Sequence, residues 1–257
     1  MYKVNLRNER LNQTGKNYFG TPMKIVDYID NKNITVEFLD DHHCRVHTNY
    51  PSFVKGGVKN PYDKTVCGVG YLGEGQYGAG QKDRNVYLAW MDILRRCFHP
   101  SERQAGYVGC SVVEEWHNFQ NFAKWYYENS YNSFDEKLQV DKDLLYFNNK
   151  IYGPDTCLLI PERINYLIVR QWTRRGRYPI GVRKEPGCAR FEARCMTDKG
   201  KETLGFFSTP EEAFIAYKKR KEEFIKEVAN NYKDIIPSKV YKALLNYKVV
   251  DDTKLIA

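Results

Sequence analysis

Apolar and polar residues alternate with a period of two near the start of the chain, which is the spacing of a half-buried β-strand. Residues 23–29 and 34–39 follow this pattern, and the polar residues 30–33 lie between them. Two such runs around a short polar turn predict a β-hairpin. Because glycines punctuate both flanks, we predict a small all-β module here. Its role is open between a structural cap and an accessory nucleic-acid contact.

The spacing becomes helical after a glycine-rich segment at residues 63–84. Apolar residues recur three and four positions apart over residues 86–97 and again over residues 114–129, which predicts two amphipathic helices. The second carries an aromatic stripe typical of a hydrophobic core, formed by Trp116, Phe119, Phe122, Ala123 and Tyr126. The glycine-rich segment lacks the lysine–serine pair of a phosphate-binding loop, so we interpret it as a flexible connection between domains.

Two short apolar runs then enclose a polar stretch. The first ends at Val140 and the second covers residues 157–160, with acidic and amide residues and a Gly-Pro turn between them. Residues 162–170 follow with helical character. Two strands, a polar loop and a helix are the outline of a ββα metal finger.

The C-terminal part returns to strand-like runs at residues 180–183, 190–196 and 202–206, separated by turn residues. Thr209 and Glu212 then form the pattern of a capping box. We therefore predict a three-stranded sheet braced by one amphipathic helix. The buried face of that helix is expected to contain Ala213, Phe214, Tyr217, Phe224, Ile225 and Val228.

These patterns predict an α+β fold with a modular organisation. We assign a small β module to residues 1–62, the glycine-rich connection to 63–84 and a helical segment with the ββα unit to 85–169. A basic linker covers residues 170–177, and the three-stranded sheet with its helix and a helical tail covers 178–257. A length of 257 residues accommodates this number of small modules.

The charge is positive and unevenly distributed. The net charge is +8, which favours a polyanionic partner. Residues 170–207 contain ten basic and four acidic residues, so most of the excess lies in the linker and the predicted sheet. In the linker, Arg174, Arg175 and Arg177 would contact phosphates and make nucleic-acid binding sensitive to salt.

Cysteine and histidine spacing indicates no zinc ribbon. The seven cysteines form no C-x-x-C pair. His42, His43, Cys44 and His47 follow a predicted strand, but adjacent histidines on an extended chain point to opposite faces, so we interpret them as solvated turn residues. With no signal peptide and no membrane-spanning apolar run, a cytoplasmic protein with reduced thiols is expected.

The C-terminal stretch, residues 178–230, resembles an APETALA2-type DNA-binding domain. The residues that carry this resemblance are Gly181, Val182, Arg183, Phe191, Ala193, Leu204, Gly205, Phe206, Phe207, Thr209, Pro210, Glu211, Glu212, Ala213, Ala216 and Tyr217. In that family the sheet enters the major groove and the helix braces it. The resemblance therefore implies contacts with double-stranded DNA from Arg183, Lys184, Arg190 and Arg194. Arg194 stands where the family pattern often has an acidic residue.

The middle of the chain resembles the HNH homing endonucleases of phages and bacteria, some of which continue into an APETALA2-type domain. The matching residues are Trp90, Met91, Arg96, Cys97, Cys110, Glu115, Trp116, Phe119, Phe122, Val140, Asp141, Tyr152, Pro154, Cys157, Ile164 and Asn165. The resemblance implies a His-Me-finger-like fold that cuts DNA with a divalent metal ion, expected to be Mg²⁺.

Two positions depart from the HNH pattern. The family commonly has Asp-His at the end of the first strand, where this chain has Asp141 and Lys142, and Thr156 replaces the usual Asn before the second strand. The resemblance implies Asp141, Lys142 and Asp143 as catalytic residues. It implies Asp141, Asp143 and Asn165 as metal ligands. Lysine serves as a base only when burial strongly lowers its pKa.

Other side chains offer alternatives for the same chemistry. His99 or His117 would supply the missing imidazole if the fold brought either one to the finger. Cys97, Cys110 and Cys157 fall at cysteine positions of the resembling family, and they are expected either to form a zinc site or to be buried thiols.

Three functional hypotheses follow. The first is a homing-type endonuclease that grips double-stranded DNA with its C-terminal sheet and hydrolyses a phosphodiester bond at the finger. The second is a DNA-binding regulator whose finger is inactive. The third is a scaffold that binds a protein partner. If the phage or bacterial resemblance holds, the protein works in the cytoplasm of a bacterial cell.

Overall fold

The protein has an α+β fold, with helices and with strands arranged in several sheets, as the sequence predicts. The computed structural model describes residues 6–133, 136–168, 177–184, 187 and 189–251. Within these ranges, no helix combines the length and the apolar character needed to cross a membrane.

The first of two compact units comprises residues 1–99 and 113–124. Its elements are α1 (Leu6–Arg10), β1 (Thr14–Lys16), β2 (Pro22–Asp30), β3 (Asn33–Phe38), β4 (Arg45–Thr48), α2 (Tyr50–Val54) and α3 (Arg84–Phe98). A 3-10 turn at Glu114–His117 precedes α4 (Phe119–Asn129), which continues beyond this unit.

The four N-terminal strands form one antiparallel sheet in the order β1-β2-β3-β4. The predicted hairpin is confirmed as the β2–β3 pair, and Asp30 accepts hydrogen bonds from the backbone of the turn. Alternate residues of β3 are buried, and β2 shows the same alternation except at an irregularity after Ile25, so the period-two pattern largely matches the pattern of burial. The buried members are Met23, Ile25, Tyr28, Ile34, Val36 and Phe38.

The two predicted helices of the middle segment are present, with two differences. In α3 the buried residues are Val86, Trp90, Ile93 and Leu94, whereas the apolar residue Leu88 is 42% exposed. The second helix is interrupted at Asn118. The Asn118 side chain accepts a hydrogen bond from the Gln120 backbone, as an N-cap does, so α4 begins there. The predicted aromatic stripe on α4 and the preceding turn is largely buried.

The glycine-rich segment lies within the first unit and packs on it. The Gln120 side chain donates to the carbonyls of Leu72 and Tyr77 at 3.0 and 2.9 Å and accepts from the Tyr77 backbone. Tyr71 donates to the His117 carbonyl at 2.9 Å. These long-range contacts hold residues 63–84 in place, so the segment is not a free connection between domains.

The second compact unit comprises residues 100–112 and 125–257. Its elements are β5 (Ser111–Val112), β6 (Leu138–Asp141), β7 (Ile151–Tyr152), β8 (Leu158–Pro161), α5 (Glu162–Ile168), β9 (Val182–Lys184), β10 (Phe191–Thr197), β11 (Gly200–Phe207), α6 (Pro210–Asn231) and α7 (Ser238–Leu245). Strands β6 and β8 pair antiparallel, β5 and β7 pair parallel, and β11, β10 and β9 form an antiparallel sheet in that order.

One helix, α6, contributes to two hydrophobic clusters. Phe214 and Tyr217 from its first half pack with Cys195 beneath the three-stranded sheet. Phe224 and Ile225 from its second half belong to a larger core. That core also contains Leu144, Leu158, Ile160, Ile164 and Ile168 of the predicted finger, together with Val240 and Leu244 of α7. The predicted finger and the C-terminal helices therefore share one core.

Candidate nucleic-acid interface and finger site

The strand register places a set of polar and charged side chains on one side of the C-terminal sheet. Residues that pair directly in antiparallel strands point to the same face. The pairs on this face are Arg183 with Glu192, Glu192 with Phe206, Arg194 with Thr203, and Met196 with Lys201. We call this set the outer face. The opposite face carries Ala193 and Cys195, which are fully buried.

A buried carboxylate organises the centre of the outer face. Glu192 is 3% exposed, pairs with Arg194 and accepts a hydrogen bond from Thr203 at 3.0 Å. The hydrogen bond from Arg194 lowers the pKa of Glu192, and the charge of Arg183 lowers it further. Glu192 is therefore ionised at neutral pH, and the charge of Arg194 is compensated within the sheet.

Other cations on this side are exposed to solvent. Arg183 and Lys201 are exposed members of the outer face, and Arg190, just before β10, is exposed as well. Lys184 pairs with Phe191, so its side chain lies on the opposite face, with its ammonium 5.9 Å from the Phe191 ring centroid. Of the predicted linker residues, Arg177 is exposed, whereas Arg174 and Arg175 lie outside the described residues.

The sheet is fixed from behind by a capped helix. The Thr209 hydroxyl accepts from the Glu212 backbone at 3.2 Å, and the Glu212 carboxylate accepts from the Thr209 backbone at 3.3 Å, which is the predicted capping box. Gly181 has φ of +79°, and a Cβ atom there would lie 2.1 Å from the Tyr217 ring. Only glycine allows the start of β9 to approach α6 this closely.

The outline of the finger is present over residues 138–168, which we call the finger. Asp141 ends β6, and its carboxylate accepts hydrogen bonds from the backbones of Asp143 and Leu144 at 3.0 and 2.7 Å. Burial raises the pKa of Asp141 to about 6, and the nearby negative charge of Asp143 adds to this effect. Asp141 therefore shapes the turn after β6 and titrates near neutral pH.

Lys142 places its ammonium group inside the finger. The ammonium donates to both carboxylate oxygens of Asp143, at 2.9 and 2.8 Å, and to the carbonyl of Asn149 at 2.7 Å. It also lies 5.9 Å from the ring centroids of Tyr107 and Tyr152. Its side chain is 7% exposed. Lys142 is thus a charged lysine whose three donors are all used by the polar loop.

The polar loop is closed by hydrogen bonds from Asn149 and Thr156. The Asn149 amide donates to the carbonyls of Lys142 and Ile151 at 3.0 and 2.7 Å. Thr156, at the position of the usual family Asn, donates to the Ile151 carbonyl at 2.8 Å. Asn149 appears in the sequence only as one amide in a polar stretch, and Tyr107 lies too far upstream for any local pattern to indicate it.

One of the three predicted metal ligands is already engaged by a cation. The Asp143 carboxylate is occupied by Lys142, which brings a positive charge to the place where a cation would bind. No hydrogen bond of the Asn165 side chain is found among the described residues. In the same part of the chain, no group of three or more His, Cys, Asp or Glu residues is arranged to hold a metal ion.

No imidazole is available within the unit that contains the finger. Residues 100–112 and 125–257 contain no histidine, and both His99 and His117 belong to the first unit. His117 stacks edge-on against Phe98, with ring centroids 5.8 Å apart. The unit that contains the finger therefore supplies no imidazole of its own for the missing base of the HNH pattern.

The cysteines of the resemblance are divided between the two units. Cys97 lies in the first unit, and Cys110 and Cys157 lie in the second. Burial raises the pKa of Cys110 and raises that of Cys157 to about 12. Metal binding needs thiolates, and these two environments favour thiols. Cys110 and Cys157 are both buried, and Cys97 is partly buried.

Comparisons with known proteins return no match. No protein-family model matches the chain, and neither a curated protein nor a solved structure matches it. The functional argument therefore rests on the residues and contacts described above.

Proposed function

We propose that this protein binds double-stranded DNA through the outer face of its C-terminal sheet. The observation that carries the proposal is the array of exposed cations, Arg183, Arg190 and Lys201, on a sheet braced by a capped helix. Glu192, the acid at the centre of this face, is already paired with Arg194. The face therefore presents net positive charge to a polyanion.

The shape of the sheet suits a duplex. The major groove of B-DNA admits a narrow β-structure, and arginine forms paired hydrogen bonds with guanine there. In this arrangement Arg183 and Arg190 reach base edges, and Arg177 and Lys201 contact phosphates. The APETALA2-type resemblance implies the same orientation, with the helix on the side away from the DNA.

The geometry of the finger favours a DNA-binding regulator over an active nuclease. Lys142 neutralises Asp143, and the finger residues Leu144, Leu158 and Ile160 pack against the C-terminal helices. The finger would then serve as the platform that holds α6, and through α6 the sheet. In this proposal the protein descends from a bacterial or phage nuclease. It has kept the finger because the finger packs against the C-terminal helices.

A metal-dependent endonuclease is the second candidate, and one observation favours it. The pKa of the buried Asp141 is raised to about 6, which is close to the value that suits a general base at neutral pH. Asp141 also has the position of the HNH catalytic acid. This candidate requires Lys142 to leave Asp143 before an ion can bind.

A binding experiment tests the main proposal. The full-length protein is titrated with pools of duplex DNA at several salt concentrations, and the enriched sequence is then used with variants. Arg183→Ala and Arg190→Ala should each weaken binding by ~1–3 kcal/mol if these residues read bases. Lys219→Ala, which removes an exposed charge from α6, should leave the affinity within about twofold. If neither arginine variant weakens binding more than Lys219→Ala, the sheet is not the DNA-binding face.

A cleavage experiment separates the candidates. Supercoiled plasmid and the enriched duplex are incubated with the protein and Mg²⁺ or Mn²⁺. The regulator predicts bound but intact DNA. Nicking that disappears in Asp141→Ala, with binding retained, would establish the endonuclease instead. A failure to bind any duplex even at low salt would point to the third hypothesis, a scaffold for a protein partner.

A further inference from the structure

The turn at residues 17–20, which we call the aromatic turn, displays two adjacent aromatic side chains. Tyr18 is 78% exposed and Phe19 is 63% exposed. Large aromatic side chains gain more from burial than most residues, so two neighbours in solvent mark a candidate binding surface. The turn follows β1 in the first unit, far along the chain from the C-terminal sheet.

A buried polar network fixes the aromatic turn from below. Asn17 is 6% exposed, and its side-chain oxygen accepts from the backbones of Phe19 and Thr21, both at 3.0 Å. Its amide donates to Asp63 at 2.6 Å, and the Thr21 hydroxyl donates to the other Asp63 oxygen at 2.6 Å. The backbone that carries Tyr18 and Phe19 is therefore fixed by hydrogen bonds, which lowers the entropy cost of binding.

A second segment, residues 55–57, supports the turn and adds charge. The Tyr18 backbone donates to the Gly56 carbonyl at 2.8 Å. Gly56 has φ of +73°, and a Cβ atom there would lie 2.9 Å from the Lys16 carbonyl. The close approach brings together the segments that carry Lys16 and Lys55, both exposed. The acid that contacts this turn, Asp63, is buried with both oxygens occupied.

We propose that the aromatic turn binds a single nucleic-acid strand by stacking unpaired bases on Tyr18 and Phe19. Aromatic side chains beside lysines are the combination that single-strand-binding surfaces use, since rings stack on bases and ammonium groups contact phosphates. The positive flanks favour this occupant over an apolar protein surface. The proposal goes beyond duplex binding at the C-terminal sheet, and it assigns a role to the N-terminal module.

The test compares two strands with the same charge. The full-length protein is titrated with oligothymidylate of about ten nucleotides, a typical site size, and with an abasic oligonucleotide of equal length. The wild-type protein should bind oligothymidylate about tenfold more tightly or better, because only that strand offers bases to stack. Equal affinity for the two strands, or no binding to either, would overturn the proposal.

Variants locate the site. Tyr18→Ala combined with Phe19→Ala should reduce the affinity for oligothymidylate about tenfold and leave the abasic strand unaffected. Ile29→Ala, which removes an apolar side chain that is 67% exposed in the same sheet, is the matched control and should change neither. An unchanged affinity in the double variant would also overturn the proposal.

A direct readout separates stacking from an indirect effect. Phe19→Trp places an indole on the turn, and its fluorescence should be quenched by oligothymidylate but not by the abasic strand. Arg183→Ala should leave this quenching unchanged, because that residue belongs to the duplex-binding proposal. A wild-type protein that binds the single strand but no duplex DNA would thus contradict only the first proposal, and one that binds duplex DNA but not the single strand would contradict only the second.

Discussion

The finger and the C-terminal sheet differ in whether their cations are buried or exposed. In the finger, the Lys142 side chain is 7% exposed and donates hydrogen bonds to Asp143 and to the Asn149 carbonyl. On the sheet, Arg183 and Arg190 are exposed. Both regions consist of short antiparallel strands followed by a helix. The same arrangement of strands and helix can therefore either stabilise a loop or bind a partner. Which of the two it does depends on whether its cations are buried or exposed.

The physical reason is desolvation. A buried ammonium group must be compensated by nearby acceptors, because an uncompensated charge in the interior costs several kcal/mol. The ammonium group of Lys142 already donates to acceptors in the loop, so it is not available to bind a substrate. An exposed guanidinium keeps its hydration until a phosphate or base replaces it, and release of DNA counterions then drives binding.

The helix α6 links the two regions energetically. Its first half packs under the sheet through Phe214 and Tyr217, and its second half packs on the finger through Phe224 and Ile225. Arg163 of α5 also contacts Asp198, in the turn between β10 and β11, at 2.5 Å. Damage to the finger should therefore destabilise the sheet, although the finger does not contact DNA in the proposed function.

The largest expected effect comes from Lys142→Ala. Removing the ammonium leaves Asp143 without its partner and the Asn149 carbonyl without its donor, which should lower the free energy of unfolding by about 3 kcal/mol. The measurement is urea unfolding followed by circular dichroism. Lys137→Ala, at an exposed position directly before the finger, should cost less than about 0.5 kcal/mol.

Equal losses of stability in Lys142→Ala and Lys137→Ala would contradict the contrast between the finger and the sheet. Lys142 would then be another surface cation. Lys142→Met sharpens the interpretation because it keeps the length and apolar stem and removes only the charge. A loss as large as that of the alanine variant would show that the ion pair, rather than side-chain packing, holds the polar loop.

A smaller effect of opposite sign is expected for Asp141→Asn. The pKa of Asp141 is about 6 in the folded protein, above its ordinary value of 3.8, so the folded state holds a proton more tightly than the unfolded state. The buried carboxyl therefore destabilises the fold increasingly as pH rises from about 4 to 6, and fully above that range. The asparagine variant keeps the acceptor oxygen and should be more stable by about 2 kcal/mol at pH 7.

The pH dependence distinguishes this cause from a packing change. At a pH near 4 the advantage of Asp141→Asn should vanish, because the wild-type carboxyl is then protonated. Asp155→Asn, at an exposed position in the same loop, should show no such trend. A stability difference that stays constant with pH would contradict the role assigned to ionised Asp141.

Local patterns were sufficient to predict the secondary structure of the sheet. Short strand-like runs between turn residues predicted the strands around Arg183 and Arg194, and the Thr209–Glu212 spacing predicted the start of α6. These features depend on neighbours within a few residues. The N-terminal hairpin was predicted for the same reason, because the burial of Ile25 and Val36 follows the alternation of the strands.

The contacts that decide the candidate sites are long-range and were not predictable from local patterns. Lys142 lies near Tyr107, and Asn17 bonds to Asp63, although long stretches of sequence separate each pair. The sequence indicated that the histidine of the HNH pattern was missing. It could not indicate that the replacing lysine would bind Asp143, one of the predicted metal ligands.

The smallest predicted effect concerns the N-terminal cap of α6, the helix behind the sheet. Thr209→Ala removes the hydroxyl that accepts from the Glu212 backbone at 3.2 Å, so the free energy of unfolding should fall by about 1 kcal/mol. Ser208→Ala is the matched control, because Ser208 enters the cap only through its backbone. DNA affinity should be unchanged at temperatures where the variant is folded, since the cap contacts none of the outer-face cations. If affinity fell as much as in Arg183→Ala, the helix would orient the DNA-binding side chains as well as support the sheet.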